Sequence, residues 1–284
     1  MKIEAIDLYQ VKIPFQEPFR ISSGEVDMAN SIIIRIQATD GATGYGEAGP
    51  MEGSFYSDET PDRCWLNLSN YLPALLGKEI NEPTEIAAEV KVGSPFMRAA
   101  VETALWGCLA EEKNLPLYEL LGGTNRKIDC GLAVGIYETI PELLAVIASH
   151  QEKGYKRTKI KIQPGWDLEP IREIRKAFGD IPLFVDANAS YTINDLDTFK
   201  KLDEFNLMMF EQPFAANALE EHALLAKNVS TPVCLDEGIR TEVDAQRAIK
   251  LGSAKIVNIK LQRVGGFAPA LEIYKTCKAN GIDL

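Results

Sequence analysis

The sequence predicts an α/β protein in which an N-terminal α+β capping domain, residues 1–125, precedes a parallel (β/α) barrel domain, residues 126–284. Two patterns support this assignment. The first part separates its strand-like stretches from its helix-like ones, whereas the second part alternates short apolar strands with helices, which is typical of parallel sheets. A chain of 284 residues is long enough for such an arrangement.

Charge and cysteine content restrict the functional class. The formal net charge is −11, and the carboxylates are spread along the chain, which argues against nucleic acid or an anionic membrane as a partner. The five cysteines are widely separated and form no CxxC pair, so neither disulfides nor a zinc site is indicated. With no signal-peptide core and no membrane-length apolar run, we expect a cytoplasmic protein that acts on a small molecule.

Three strand-like runs predict a small antiparallel sheet in the first domain. They cover residues 2–13, 31–39 and 44–48, with Pro14 and Pro18 expected to interrupt after the first run. The pair Asp40-Gly41 predicts a tight turn between the second and third runs.

Two loops of this domain are candidates for covering a substrate, because function concentrates in loops. The first lies between Arg20 and Met28, and its alternative interpretation is a mobile hairpin connection. Its central residues are Ile21, Ser22, Ser23 and Gly24. The second loop, residues 51–57, carries Phe55 and Tyr56, which could pack an apolar substrate tail or dock on their own domain.

Helical periodicity follows over residues 58–76 and 95–121. Ser94 before Pro95 is typical of a helix start, and the paired glycines at 122–123 predict the end of the second helix.

Beyond residue 125, six short apolar strands recur about every 25 residues by their sequence spacing. They cover residues 130–136, 158–162, 181–185, 207–210, 232–235 and 255–259. Helix-compatible segments such as 141–153 and 168–178 separate them.

One ionisable residue stands at the end of each of five successive strands. These residues are Lys161, Asp186, Glu211, Asp236 and Lys260, spaced 25, 25, 25 and 24 positions apart. The C-terminal ends of barrel strands converge on one mouth, where barrel enzymes place their chemistry. A doubly wound sheet would spread the same residues along a line, so the spacing favours a barrel.

Three carboxylates in such a mouth repel one another unless a cation neutralises them. An all-oxygen ligand set selects a hard ion, so Asp186, Glu211 and Asp236 predict a site for Mg²⁺, with Mn²⁺ as the second choice. His150 and His222 lie in helix-like segments and are interpreted as surface or packing residues.

Lysines precede and follow these carboxylates in strand order. Alternation places Lys159 and Lys161 on one face of their strand, and in a closed ring Lys161 and Lys260 would face each other across the mouth. This arrangement suits proton transfer on opposite faces of a carbon next to a carboxylate, through an enediolate that a divalent ion stabilises. We expect Lys159 and the cation to lower the pKa of Lys161.

Several sequence segments resemble the enolase superfamily, in its muconate-lactonising subgroup, and are similar to o-succinylbenzoate synthases and N-acylamino acid racemases. They are the run from Gly154 to Asp167, Val185-Asp-Ala-Asn188, Phe210-Glu-Gln-Pro213, Cys234-Leu-Asp-Glu237 and Asn258-Ile-Lys260. The resemblance implies a modified (β/α)7β TIM-like barrel with a capping domain, and a lysine base that acts with Mg²⁺.

Site residues follow from the resemblance. It implies Mg²⁺ ligands at Asp186, Glu211 and Asp236, and an acid/base pair at Lys161 and Lys260. Lys159 would assist the acid/base pair, and Asn188 and Glu237 would contact the site residues without binding the ion. The alternatives are that Asn188 only forms a turn and that Glu237 is solvated.

The sequence departs from the family pattern in three places. Gly107 follows Trp106 where Trp-Asp is usual, Gly238 stands where relatives often carry serine, and the chain stops at Leu284, where a seventh strand should begin. We therefore expect a barrel truncated at its C-terminal end, with exposed strand edges. A shortened chain or a partner subunit over the gap would explain this, and a homo-oligomer is expected.

Several functions remain open at this point. The same residues serve racemisation of an N-acylamino acid and dehydration to o-succinylbenzoate, and they also serve dipeptide epimerisation and muconate cycloisomerisation. A Schiff-base lysine aldolase is an alternative from another class. A catalytically degenerate barrel that only binds metal is another. The particular carboxylate substrate stays undetermined.

Overall fold

The computed structural model describes residues 1–51, 57–91 and 93–284. Its contacts divide the chain into two compact units. The first unit comprises residues 1–18, 26–127 and 260–271, and the second comprises residues 19–25, 128–259 and 272–284. The main division falls between residues 127 and 128, and two short segments group with the other unit. The predicted domain boundary near residue 125 stays a prediction.

Most of the predicted three-stranded sheet lies in the first unit, and residues 19–25, where its first strand ends and its second begins, group with the second unit. Its strands are β1 (Ile3–Ile21), β2 (Gly24–Ala38) and β3 (Thr43–Ala48), in the order β1-β2-β3. Strands β2 and β3 pair antiparallel, with Ile34 opposite Gly46. Isoleucines at alternate positions of β2 point into the core and have no exposed surface, which is the expected result of strand alternation.

Strand β1 corrects one expectation, because it continues through Pro14 and Pro18 instead of ending there. It is the edge strand of its sheet, and an edge position tolerates proline because no neighbouring strand needs the missing N–H. The predicted polar loop after Arg20 is correspondingly shorter, since only the turn Ser22-Ser23 separates β1 from β2.

Four helices follow in chain order: α1 (Pro61–Tyr71), α2 (Pro83–Glu89), α3 (Pro95–Glu112) and α4 (Leu117–Leu120), with a 3-10 turn at Leu72–Leu75. Helix α3 packs closely on β3. A side chain at Gly46 would place its Cβ 1.8 Å from the Ala100 oxygen, and one at Gly44 would lie 1.9 Å from the Ala104 oxygen. Only glycine therefore permits this approach of strand and helix. Ser94 occupies the predicted N-cap position, although its hydroxyl makes no capping hydrogen bond.

The second unit is built on six parallel strands in sequential order, which confirms the predicted winding and excludes a doubly wound sheet. The strands are β4 (Gly131–Val134), β5 (Arg157–Lys161), β6 (Leu183–Asp186), β7 (Phe210–Glu211), β8 (Val233–Leu235) and β9 (Ile256–Val257). The helices between them are α5 (Ile140–Glu152), α6 (Leu168–Phe178), α7 (Leu196–Leu202), α8 (Leu219–Asn228) and α9 (Glu242–Leu251). Short 3-10 turns lie at Ile193–Asp195 and Asp203–Phe205.

Closure of this sheet into a barrel is not observed. Among the described residues, β4 and β9 are the two edges of the sheet. A seventh strand begins beside β9, because the amide of Val257 donates to the Asp283 carbonyl at 2.9 Å and the amide of Asp283 donates to the Lys255 carbonyl at 3.0 Å. The start of a seventh strand at the chain end is therefore confirmed.

Aromatic side chains pack together in the core next to β6 and β7. The buried ring of Phe199 lies edge-on to Tyr191, Phe210 and Phe214, with centroid distances of 5.1, 5.3 and 5.7 Å. Edge-to-face contacts of this kind contribute about 1 kcal/mol each beyond simple burial. They anchor the chain on both sides of Glu211, since Phe210 precedes it directly and Phe214 follows three residues later.

Two helices complete the chain: α10 (Leu261–Val264), which Lys260 caps, and α11 (Phe267–Ala279). Residues 260–271 belong to the first unit, although we expected them in the barrel domain. The reason is a long-range contact with α3, where the buried Glu102 accepts the Ala268 amide at 2.8 Å. Within the described residues, no helix combines the length and the apolar character that crossing a membrane requires.

Candidate active site

Three of the predicted residues end adjacent strands and are paired in register. Lys161 on β5 lies opposite Asp186 on β6, and Asp186 lies opposite Glu211 on β7. Asp236 follows directly after β8. All three carboxylate residues are at most 6% exposed, so the regular spacing in the sequence corresponds to a buried row of acidic side chains.

Lys159 and Lys161 share one face of β5, as predicted. Both ammonium groups reach the same carboxylate oxygen, with Asp186 Oδ2 at 3.0 Å from Lys159 Nζ and 2.7 Å from Lys161 Nζ. Burial alone would raise the pKa of Asp186, but these two positive charges hold it below its ordinary value. The two lysines are therefore compensated by the carboxylate between them.

Glu211 accepts three further hydrogen bonds. Lys159 Nζ lies 2.9 Å from its Oε1 and 3.1 Å from its Oε2, and Asn258 Nδ2 donates to Oε1 at 3.1 Å. Burial and the negative charges of Asp186 and Asp236 nevertheless raise the pKa of Glu211. Repulsion among the three carboxylates is thus present, and the lysines relieve it only in part.

A second set of hydrogen bonds links Lys161, Asn188 and Glu237. Lys161 Nζ donates to Asn188 Oδ1 at 2.6 Å, and Asn188 Nδ2 donates to Glu237 Oε1 at 2.9 Å. Asn188 adopts a left-handed backbone conformation with φ of 42°, which asparagine tolerates better than most residues. Burial and the neighbouring charges of Asp236 and Asp186 raise the pKa of Glu237 to about 7. Its other oxygen, Oε2, is buried without a hydrogen-bond partner.

The donor set suits a hard divalent ion. Buried oxygen ligands that repel one another are the chemistry that Mg²⁺ relieves, and the buried carboxylates with the unpartnered Glu237 oxygen provide it. Within residues 1–51, 57–91 and 93–284, no group of three His, Cys, Asp or Glu side chains is arranged to hold a metal ion as it stands. Lys159 Nζ contacts one oxygen of Asp186 and one of Glu211 at 3.0 and 2.9 Å.

The predicted loop at residues 21–24 lies beside these strand ends, within the second unit. Ser22 Oγ donates to the Ala187 carbonyl at 3.4 Å, and the Ile136 amide donates to the Arg20 carbonyl at 2.9 Å. Ile21 is buried. The turn is therefore attached to the ends of β4 and β6. Phe55 and Tyr56, the candidates from the other loop, lie outside the described residues.

Lys260 belongs to the first unit, where its carbonyl accepts the Arg263 and Val264 amides of α10. Its placement opposite Lys161 stays a prediction.

Sequence models of two domains cover nearly the whole chain. The model described as "Mandelate racemase / muconate lactonizing enzyme, N-terminal domain" matches residues 3–122, and the one described as "Enolase C-terminal domain-like" matches residues 142–284. The chain belongs to the enolase superfamily.

Individual relatives of this superfamily member agree with the resemblance seen in its sequence. The o-succinylbenzoate synthase of Bacillus subtilis (strain 168) is 40% identical over 287 residues, which cover 100% of this chain and 77% of the relative. The N-succinylamino acid racemase of Amycolatopsis sp is 39% identical over 289 residues, covering 100% of this chain and 78% of that protein.

A solved structure gives the same result for the fold. The dipeptide epimerase from Enterococcus faecalis V583, complexed with Mg and the dipeptide L-Leu-L-Tyr, superimposes with a TM-score of 0.92 at 30% identity. The match covers 99% of this chain and 81% of the epimerase.

Packing explains two of the departures from the superfamily pattern, the glycines at positions 107 and 238. A Cβ at Gly107 would lie 3.5 Å from the Gly44 Cα, so this position forms part of the close contact between α3 and β3. At Gly238 a Cβ would meet the Ala216 oxygen at 3.2 Å, which leaves little room for a side chain.

Two residues of this candidate site were missed by sequence reasoning, although both lie in segments named above. Asn258 holds Glu211, and Gln212 is fully buried between strand ends. Each of the two directly follows a strand, since Gln212 comes after β7 and Asn258 after β9. That position could have identified them in the sequence. His222 is buried and bonded to the backbone of Phe214 and Ala218, which confirms it as a packing residue.

Proposed function

We propose that the protein is a Mg²⁺-dependent acid/base enzyme that removes the proton α to a carboxylate, of the o-succinylbenzoate synthase or N-acylamino acid racemase type. The observation that carries the proposal is the contact between Lys161 Nζ and Asp186 Oδ2 at 2.7 Å. It joins a buried lysine to a row of three carboxylates at adjacent strand ends. A base beside a hard-ion site is the combination that this weakly acidic proton requires.

Asp186, Glu211 and Asp236 are proposed as the residues that hold the ion, with Mn²⁺ as a substitute. When bound there, Mg²⁺ supplies positive charge where negative charge develops on the substrate carboxylate. Lys159 shares two of these carboxylates, and its own burial would lower its pKa, but their charges raise it above the ordinary value. Lys159 therefore remains an ammonium group, so its role is electrostatic and it does not accept the proton.

Lys161 is proposed to accept or return the α-proton on one face of the substrate, and Lys260 on the other. Asn188 holds Lys161 at 2.6 Å and directs its ammonium group, and Glu237 in turn holds Asn188. An amine oriented by two acceptors loses less entropy in reaching the substrate carbon. The turn at residues 21–24 is proposed to cover the substrate, with Phe55 and Tyr56 as further contacts.

Isotope exchange tests this proposal. The purified protein, with Mg²⁺ added, is incubated in D₂O with N-succinylamino acids, and deuterium at the α-carbon is followed by NMR. We expect exchange that EDTA abolishes and that Lys161→Ala reduces by about 1,000-fold, because general acid/base catalysis contributes 10²–10⁴-fold. Lys176→Ala, at an exposed lysine on α6, is the control. Absence of exchange with Mg²⁺ bound would favour the degenerate barrel.

A parallel assay separates the related reactions. Dehydration to o-succinylbenzoate is followed beside racemisation, and hydrophobic dipeptides are included because a hydrophobic dipeptide epimerase of Enterococcus faecalis (strain ATCC 700802 / V583) is 31% identical. Muconate is added as the fourth substrate class. Borohydride treatment during turnover should leave no covalent adduct, whereas a Schiff-base aldolase would be trapped on lysine.

We further propose a cytoplasmic homo-oligomer. The five cysteines are all free, and four of them are buried, as expected in a reducing compartment. Sedimentation equilibrium on the purified protein measures the mass. A single species at 31.4 kDa, the mass of one chain, would refute the oligomer.

A further inference from the structure

Gln212 links the ends of three strands through its backbone and its side chain. Its amide donates to the Cys234 carbonyl at 2.9 Å at the end of β8, and its carbonyl accepts the Ala189 amide at 2.8 Å from the segment after β6. The residue itself follows β7 directly. Strands β6 and β7 end in Asp186 and Glu211, and Asp236 follows β8 directly.

The side chain of Gln212 adds three hydrogen bonds. Oε1 accepts the amides of Asp236 at 2.9 Å and Gly238 at 3.0 Å, and Nε2 donates to the Phe214 carbonyl at 2.9 Å. The turn after β8 thus has two of its amides directed at one buried oxygen. Leaving such buried amides unpaired is unfavourable, because they lose their hydrogen bonds to water without a replacement.

The backbone of Gln212 is strained, so the surrounding contacts must hold it in an unfavourable conformation. Its φ is 38°, a left-handed conformation that is unfavourable for a residue with a long side chain. The residue is also completely buried. Packing alone does not require a buried amide side chain, because an apolar side chain would fill the same volume with no polar group to satisfy.

We propose that Gln212 is a positioning residue, which holds the turn after β8 in the shape that directs Asp236 and Glu237 into the metal site. The inference rests on the proposed function. The side chain of Gln212 bonds to the backbone of Asp236, Gly238 and Phe214. It acts through the amides of Asp236 and Gly238, and so sets the direction of the Asp236 side chain and of the Glu237 side chain between them.

Metal affinity tests this role. Mn²⁺ binding is measured by electron paramagnetic resonance on the full chain without substrate, for wild type and for Gln212→Met, which keeps the volume and removes the hydrogen bonds. Loss of groups that orient ligands weakens metal affinity by about 10- to 100-fold, and we expect that loss. Gln212→Glu keeps an acceptor for both amides, and we expect it to retain affinity within about threefold because the accepted bonds remain.

Ser253→Ala is the matched control. Ser253 is also fully buried, and its Oγ donates to the Leu219 carbonyl at 2.7 Å, ahead of β9 at the opposite end of the strands. We expect this variant to lower the melting temperature without changing Mn²⁺ affinity. A folded Gln212→Met protein with wild-type affinity overturns the proposal. If that variant does not fold, Gln212→Asn, whose amide falls one methylene short, provides the same comparison.

Amide exchange separates this proposal from the proposed function. In the metal-free protein, the amides of Asp236 and Gly238 should be protected in wild type and should lose protection in Gln212→Met. Should wild type bind no Mn²⁺, the proposed function fails, and this loss would still support Gln212 as the residue that holds the turn. Unchanged protection in the variant would overturn the role of Gln212 even where Mn²⁺ binds.

Discussion

Lys159 is bonded to both oxygens of Glu211, with its Nζ 2.9 Å from Oε1 and 3.1 Å from Oε2. The same ammonium group lies 3.0 Å from Asp186 Oδ2. One lysine therefore compensates two buried carboxylates. Because Asp186 and Glu211 are proposed to hold the ion, we expect Lys159 and Mg²⁺ to compete for these two carboxylates.

Replacement of Lys159 by methionine tests this competition. We expect the metal-free variant to lose about 3 kcal/mol of unfolding free energy, because removal of one partner leaves buried charge uncompensated. Mg²⁺ should then stabilise the variant more than wild type, since it binds only the folded state. Thermal unfolding with and without Mg²⁺ measures both effects.

Lys176→Met is the control for that experiment, because Lys176 forms an exposed ion pair with Glu173 on α6. Exposed pairs contribute at most about 1 kcal/mol. An equal response of both variants to Mg²⁺ would refute the competition.

Replacement of Asn188 by glycine tests the orientation of Lys161. Glycine keeps the left-handed backbone but removes the acceptor that lies 2.6 Å from Lys161 Nζ. Hydrogen bonds to charged groups contribute about 1.5–3 kcal/mol, so we expect kcat for α-proton exchange to fall by about 10- to 100-fold.

Asn206→Gly is matched to this variant, because Asn206 has φ of 50° and bonds only to exposed Asp180 through its side-chain amide. It should leave kcat unchanged. Equal kcat values for the two variants and wild type would remove Asn188 from the proposed mechanism.

The sequence predicted the row of ionisable residues because each βα unit has nearly the same length. Asp186 and Glu211 are therefore in register in the structure, as their spacing of 25 indicated. It also predicted the alternation that places Lys159 and Lys161 together. Both are local properties of strands, which repeat with a period of two.

Other features depended on contacts between distant residues. The grouping of residues 260–271 with the first unit depends on Glu102 and Ala268, which are 166 positions apart, and no local period reveals such a contact. Likewise, Pro14 and Pro18 lie within β1 because this strand is an edge. The amino-acid sequence of a strand does not show whether that strand lies at the edge of a sheet.

His222 makes the stability of the protein depend on pH. Burial lowers the pKa of its imidazole to about 4, whereas the unfolded chain has a value of about 6.5. The unfolded state therefore binds the proton first, so the contribution is complete above about pH 6.5 and is lost as the pH falls toward 4. Between about pH 7.5 and pH 5 we expect a loss of about 2 kcal/mol from this residue.

Urea unfolding of wild type and His222→Gln at both pH values measures this loss. Glutamine retains an acceptor for the Phe214 amide, which His222 Nε2 now accepts at 3.2 Å, but it does not titrate. The difference between the two proteins should shrink by about 2 kcal/mol at the lower pH. A constant difference would show that the imidazole of His222 has the same pKa in the folded and unfolded states, which would contradict the prediction.

Gly266 determines how residues 260–271 pack on α3. A Cβ at this position would lie 1.5 Å from Glu102 Oε2, and its φ is 120°. Gly266→Ala should therefore cost more than backbone strain alone, about 3 kcal/mol or more in unfolding free energy, because the buried carboxylate must move and lose its contacts.

Gly41→Ala isolates the strain, since Gly41 has φ of 94° with open space around its Cα. We expect it to cost about 1 kcal/mol. Both residues lie in the first unit, so their urea midpoints can be compared directly. If the two alanine variants are equally destabilised, the contact with Glu102 does not hold this segment, and the packing of α10 on α3 must depend on other residues.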